Sequence, residues 1–224
     1  MTLFVVLMLP IVVRLGIWQL DRAEFKQGLE MSYLSQLAQL PVPPPDELTP
    51  FSRVRLVGQF SEQIFLLDNQ VHNGTVGYWV IQGFETEDDV RFLVNRGFIA
   101  GAREDRQKLP HVSTPQGQLT LVAMVWPFTG LIPLLDEDKW DSGWPKRVQR
   151  LDVAKMASTI DGVAQEMRLE AGQPGVLQTA PFAQSFDDSK HQGYAATWFG
   201  LAVTLFCGFV IFGFVQGRGI TGEK

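Results

Sequence analysis

Cysteine is nearly absent. The single one, Cys207, lies inside a long apolar stretch, so neither an internal disulfide nor a thiolate metal cluster is possible. A basic excess is missing too: 19 Lys and Arg stand against 24 Asp and Glu, a net charge of −5, and no basic stripe is visible. Nucleic acid is therefore set aside as a partner. Catalytic signatures are lacking as well, with no G-x-S-x-G, no H-E-x-x-H, no P-loop and no G-x-G-x-x-G after a strand. The adjacent acids Asp88-Asp89 and Asp187-Asp188 read as solvated loop charges. An enzyme is not expected.

What is present is apolar length at both ends. Residues 193–215, GYAATWFGLAVTLFCGFVIFGFV, contain no charge and suffice as a helix to cross a hydrocarbon core of roughly 30 Å. Residues 2–20 form a second, less clean run, expected to be an uncleaved anchor because neither a basic n-region nor a small-residue cleavage site marks it as a signal. Arg14 interrupts this run, and it either snorkels to the outer interface or pairs with an anionic ligand or a second helix. Trp18 and Trp198 suit aromatic-belt positions on one interface. The fold class expected is thus an α+β membrane protein, two transmembrane helices flanking an antiparallel β-rich extracytoplasmic domain. Arg218 and Lys224 against Glu223 place both termini in the cytoplasm.

The expected order is a first span at 2–20, an amphipathic helical extension at 21–40, a β-rich domain at 41–189, a second span at 191–215 and a tail at 216–224. Between 21 and 40 the polar Arg22, Lys26 and Glu30 interleave with apolar residues at helical spacing, until the prolines at 41 and 43–45 stop the helix. From 53 the period changes to two: 53–60, 63–67, 78–81, 90–94 and 118–125 read as strands, with Asn73-Gly74 as a hairpin turn. Gly77 is expected at a turn or bulge. Residues 131–150 read as a loop, Asp152 as the cap of a helix over 153–160, and 165–169 as one more strand. His72 and His111 are expected in solvated loops. Arg96, at a strand end, is expected to pair with an acidic core neighbour or, failing that, with a partner or ligand anion.

Ser189-Lys-His-Gln192 has the form of a capping box and puts His191 in the first turn of the second span, where an imidazole can ligate a metal. Ala196, Gly200, Thr204 and Gly208 recur every four residues, a small-xxx-small stripe that admits close approach of another membrane helix, the first span or a helix of another protein.

Five blocks in order, LGIWQLDR (15–22) with Lys26, VGQF (57–60), GYWV (77–80), VNRGF (94–98) and HQGYAATWF (191–199), resemble the surfeit-locus family of cytochrome c oxidase assembly factors. Phe98 stands where that family usually has Trp, Gln82-Gly83 where Thr-Pro is common, and Gln192 in place of an apolar residue. The basic lead usual before the first span is also not present here, so a longer natural N-terminus is expected.

The resemblance implies a role in maturing haem–copper oxidase by receiving haem a and aiding its insertion into the catalytic subunit. His191 matches the family's histidine, the implied axial ligand, and Arg14, Arg22 and Lys190 are candidate propionate partners. It also implies as partners the oxidase catalytic subunit, haem a synthase and the lipid bilayer, and a place in the cell inner membrane with the central domain periplasmic. Covalent haem attachment is excluded because no C-x-x-C-H occurs. A haem-independent scaffold that stabilises the oxidase subunit is the alternative; a membrane-anchored sensor is a third, disfavoured by the short tail.

Overall fold

The computed structural model describes residues 2–102, 105, 108–128, 130–134, 139–179 and 189–221, with side chains only to 216 in the last segment. Asp187, Asp188, Glu223, Lys224 and the Arg218 side chain lie outside the described residues. The chain divides into two compact units, Met1–Ser32 with Phe182–Lys224, and Tyr33–Pro181.

The first unit contains most of two long helices of the chain, α1 (Thr2–Leu37) and α3 (Ser189–Thr221). Both are long and apolar enough to cross a membrane, which is consistent with anchoring at each end. α1 runs unbroken through Pro10, as membrane helices tolerate. The two helices meet where one lacks a side chain: a Cβ placed on Gly16 would lie 2.8 Å from Cε1 and Cζ of Phe199. Removing that atom lets the aromatic ring rest on the α1 backbone.

The second unit holds β1 (Arg53–His72), β2 (Thr75–Thr86), β3 (Arg91–Ala100), β4 (Leu119–Trp126), β5 (Lys146–Val148), α2 (Val153–Ile160) and β6 (Val163–Leu169). The sheet order is β2-β3-β6-β4-β1-β5, and β2 also pairs with β1, so five strands close into a barrel with β5 on its flank. The twenty-residue β1 serves three neighbours along its length: residues 53–58 pair with β4, residues from 58 onward with β2, and 65–67 also with β5, with a register shift between Phe60 and Ile64.

The sheet is mixed, correcting the antiparallel expectation. β3 and β6 run parallel, as do β1 and β5. The reason is parity, since a closed ring of five strands cannot alternate direction all the way round. A second correction concerns residues 131–150, read as loop, which include the three-residue β5.

Alternation along the strands decides what is inside. Val54 and Leu56 of β1, with Phe84, Phe92, Val94, Leu121, Ala123, Val125, Met167 and Leu169, fill one core, while Arg53 and Arg55 point away from it. Residues 64–67 do not alternate because both of their faces are covered: Phe65 and Leu67 pack with Met156 and Ile160 of α2, whereas Leu66 packs with Tyr78, Val80 and Val112. α2 begins as its sequence demands, with Asp152 Oδ1 accepting from the Lys155 backbone N–H at 3.1 Å. The C-terminal end of α1 is tied to β1 by Arg53, whose Nη1 donates to Gln39 O at 2.8 Å. The same guanidinium forks onto Glu170 at 2.6 and 2.8 Å, and that carboxylate holds its proton above the ordinary arginine value.

The hairpin between β1 and β2 is closed by His72 opposite Thr75, with Asn73 and Gly74 at positive φ as the two turn residues. Gly77, expected at a turn or bulge, is instead regularly paired; it lacks a side chain because a Cβ there would lie 2.2 Å from Ile99 O. The bulge sits across from it in β1 between Leu67 and Gln70, where Asn69 takes φ 58°. His72 corrects its expectation too: it ends β1 half-buried, its ring 5.3 Å from that of Phe98 and 5.9 Å from that of Trp79. His111 is exposed in a loop.

Candidate functional site

His191 lies in the first turn of α3, half-buried, with Nδ1 2.8 Å from Oε1 of Gln19 on α1. A carbonyl oxygen only accepts, so Nδ1–H donates in this bond, and in the neutral ring that tautomer carries its lone pair on Nε2. Small residues make the approach possible: Ala195, one turn after His191, and Ala23, one turn after Gln19, are both buried, and Gly16 one turn before Gln19 receives Phe199. One face of α3, through His191, Ala195, Phe199 and Ala202, is thus turned inward. The result is a single imidazole held through one nitrogen and able to ligate through the other.

The sequence nominates three cations to accompany this pair. Arg14, Arg22 and Lys190 are all exposed. Arg22 follows Gln19 by three residues and so shares its helix face, while Arg14, five residues before, lies about 140° round the helix. The Arg22 guanidinium stands 5.4 Å from the Phe25 ring centroid. Among the described residues the imidazole's hydrogen-bond partner is Gln19, and no three His, Cys, Asp or Glu side chains gather into a ligand set.

Ala196, Gly200, Thr204 and Gly208 are exposed, with open space beyond Gly200 and Gly208. The face packed against α1 is the neighbouring one, carrying Phe199, so α1 does not use the stripe.

Arg96 overturns its expectation. It is 1% exposed and is the extra residue of a bulge in β3, since Asn95 pairs with Ile81 and Gly97 with Val80. No acid meets it. Nε donates to Gly175 O and Nη2 to Ser113 O, each at 2.7 Å, while Nη1 donates to Gln82 Oε1. The Phe60 ring covers the guanidinium at 4.9 Å. Burial among neutral acceptors lowers its pKa to about 10. The group ties three segments of the fold together. Gln82 was hidden as a departure from a family pattern; the signal for it is a polar side chain in the middle of a buried strand.

On the adjoining strand β6, Glu166 is buried between Asn95 Nδ2 at 2.8 Å and Arg168 Nε at 2.9 Å, and Arg168 lies 3.8 Å over the Trp126 ring. This pair borders a cleft of about 410 Å³ walled by Phe128, Leu131, Ile132 and Val153.

The five sequence blocks therefore fold into two clusters. LGIWQLDR and HQGYAATWF meet in the Gln19–His191 bond and the Gly16–Phe199 contact. GYWV and VNRGF pair as β2 and β3, and the Phe60 of VGQF stacks on Arg96.

Known proteins resemble the chain over much of its length. A SURF1-like protein of Dictyostelium discoideum is 23% identical over 249 residues, covering 90% of this chain and 91% of that one. A SURF1-like protein of Rickettsia felis is 25% identical over 225 residues, covering 94% and 95%. The cytochrome oxidase assembly protein SHY1 of Saccharomyces cerevisiae is 31% identical over 126 residues, which is 50% of this chain and 32% of that protein. The model of the SURF1 family matches residues 6–203, from within the first helix to the middle of the last. The chain belongs to the SURF1 family.

Proposed function

We propose that the chain is an assembly factor for haem–copper cytochrome c oxidase that holds haem a through His191 and passes it toward the catalytic subunit. The observation that carries this reading is the Gln19–His191 bond, which leaves Nε2 as the ligating nitrogen at the start of an apolar helix. The donor set fits the group. One imidazole, with no group of His, Cys, Asp or Glu ligands gathered round it among the described residues, suits a metal that would arrive with a macrocycle supplying its remaining donors. Haem a, when bound, supplies an iron that takes axial ligands from side chains.

The chain's own residues do the rest. His191 offers Nε2, and the exposed Arg22, Lys190 and Arg14 are long cations able to reach the propionates from the polar side. A single axial ligand on a half-buried helix start favours release as well as capture. Support for the oxidase as partner comes from the relative named as a cytochrome oxidase assembly protein. No catalytic step is assigned to the chain. The reading includes anchoring in the cell inner membrane with both termini cytoplasmic, the barrel periplasmic, and contact with haem a synthase as donor.

The test is absorption by the full chain purified from cells that make haem a. A haem band that His191→Ala abolishes is expected. A colourless protein that still captures the oxidase subunit overturns the carrier role and leaves the scaffold. That second reading is favoured by the open stripe of Ala196, Gly200, Thr204 and Gly208, which suits close packing with a helix of the oxidase.

A further inference from the structure

We infer that Gln19 is a positioning residue for His191: its side-chain carbonyl selects the Nδ1–H form of the imidazole and so turns Nε2 into the ligand atom. This rests on the reading that His191 binds iron.

The geometry is specific. Two helix faces meet with small residues one turn from each partner, Ala23 beside Gln19 and Ala195 beside His191, so little else competes for the space. Gly16, one turn before Gln19 on the same face, takes the Phe199 ring where its own Cβ would be. The seat of that ring fixes how close the helices come, and hence whether an amide as short as glutamine's reaches the imidazole at 2.8 Å. A carbonyl or carboxylate behind a ligating histidine fixes the tautomer and raises the basicity of the free nitrogen, an effect worth roughly 10–100-fold in metal affinity.

The choice of an amide over a carboxylate also has meaning. A carboxylate in the same place would pull harder on Nδ1–H and bind iron more tightly. A neutral acceptor orients the ring while keeping the bond weak enough to hand the group on. Gln19 thus sets specificity for a tautomer and moderates affinity at once.

The test uses the full chain in lipid nanodiscs with ¹⁵N-labelled histidine, the His191 signals identified by their loss in His191→Ala. In the protein without haem, Nδ1 is expected to carry the proton and Nε2 the lone pair. Gln19→Leu is expected to shift the ring toward the mixture of free imidazole, and Gln19→Glu to keep Nδ1–H. In the haem-loaded protein the iron–histidine stretching frequency is expected to rise in the order Gln19→Leu, wild type, Gln19→Glu. Haem dissociation should quicken by roughly 10–100-fold in Gln19→Leu. A wild-type ring protonated on Nε2, or tautomer and stretching frequency that do not respond to either variant, overturns the inference. Haem binding that survives His191→Ala instead defeats the proposed ligand, whatever the tautomer proves to be. Gln19→Glu guards against a folding artefact, because it keeps an acceptor of the same length.

Discussion

Arg96 and Gln82 are bonded to each other inside the barrel wall, with 1% and 0% of their surfaces exposed, and among the described residues no carboxylate completes the pair. Arg96→Met removes the donor to Gln82 Oε1, Gly175 O and Ser113 O together. Each buried neutral acceptor left without its donor costs about 1–3 kcal/mol. Thermal unfolding of the purified chain should shift down by roughly 6–20 °C. Arg96→Lys, which keeps the charge without the fork, should fall between. A shift too small to resolve for Arg96→Met would show that the acceptors find water instead.

The same burial sets a pH dependence. Burial lowers the Arg96 pKa to about 10, well below the ordinary arginine value. Between those values the unfolded chain binds more protons than the folded one, so the wild type gains stability relative to Arg96→Met as pH climbs through that window. Below it, both states hold the proton fully and the gap is constant. Denaturant unfolding of the two proteins should differ by a fixed amount from roughly pH 6 to pH 9 and diverge in favour of the wild type above roughly pH 10. A gap that changes near neutral pH would mean that another group titrates against Arg96.

Much of this fold was legible, for identifiable reasons. Strand alternation at Val54 and Leu56, the Asn73-Gly74 turn, the Asp152 cap and the two apolar runs are all local signals, and each sits where the sequence puts it. What was not legible depends on residues far apart in the chain. Closure of five strands, and the parallel pairing it forces, follows from β6 inserting between β3 and β4. β5 is three residues with two cations after Pro145 and carries no period to read. A lone arginine at a strand end points to an acidic neighbour or a ligand anion because charge usually meets charge, and nothing local announces that carbonyls of residues 113 and 175 will close on it. Nothing local marks Gln19 either, since a lone amide in an apolar run has no signature until its partner, 172 positions away, is placed against it.

Asp152→Ala tests the start of α2. Its carboxylate accepts from Lys155 N–H and from Arg150 Nη2 at 3.2 Å. Losing the cap should cost about 1 kcal/mol. Amide exchange in residues 153–156 should quicken several-fold while the barrel strands stay protected. Uniform quickening across the barrel would instead make α2 part of one cooperative unit with it.

Gly97→Ala tests the β3 bulge. Gly97 has φ 111°, and a Cβ there would stand 2.6 Å from Gln178 O, the acceptor of the Phe98 N–H at 2.7 Å. Backbone strain of this kind costs about 1–3 kcal/mol, before the loss of the bridge. The substitution should lower unfolding temperature and free the 176–178 segment to protease. Unchanged proteolysis would show that this segment is held by other contacts.

Gly16→Leu tests how the helix pair is seated. Its Cβ would enter the Phe199 ring, and overpacking costs about 1–3 kcal/mol when the neighbour cannot yield. Because Gln19 sits one turn further along the same face, the ring's displacement should also break the Gln19–His191 bond. Gly16→Leu should therefore lengthen the α1–α3 distance measured between spin labels and release the His191 tautomer. Phe199→Ala alone should leave a void, yet added to Gly16→Leu it should restore both readouts, since leucine then fills the space the ring vacates. A double variant no better than Gly16→Leu alone would mean that something other than the Phe199 ring sets the spacing on which the imidazole depends.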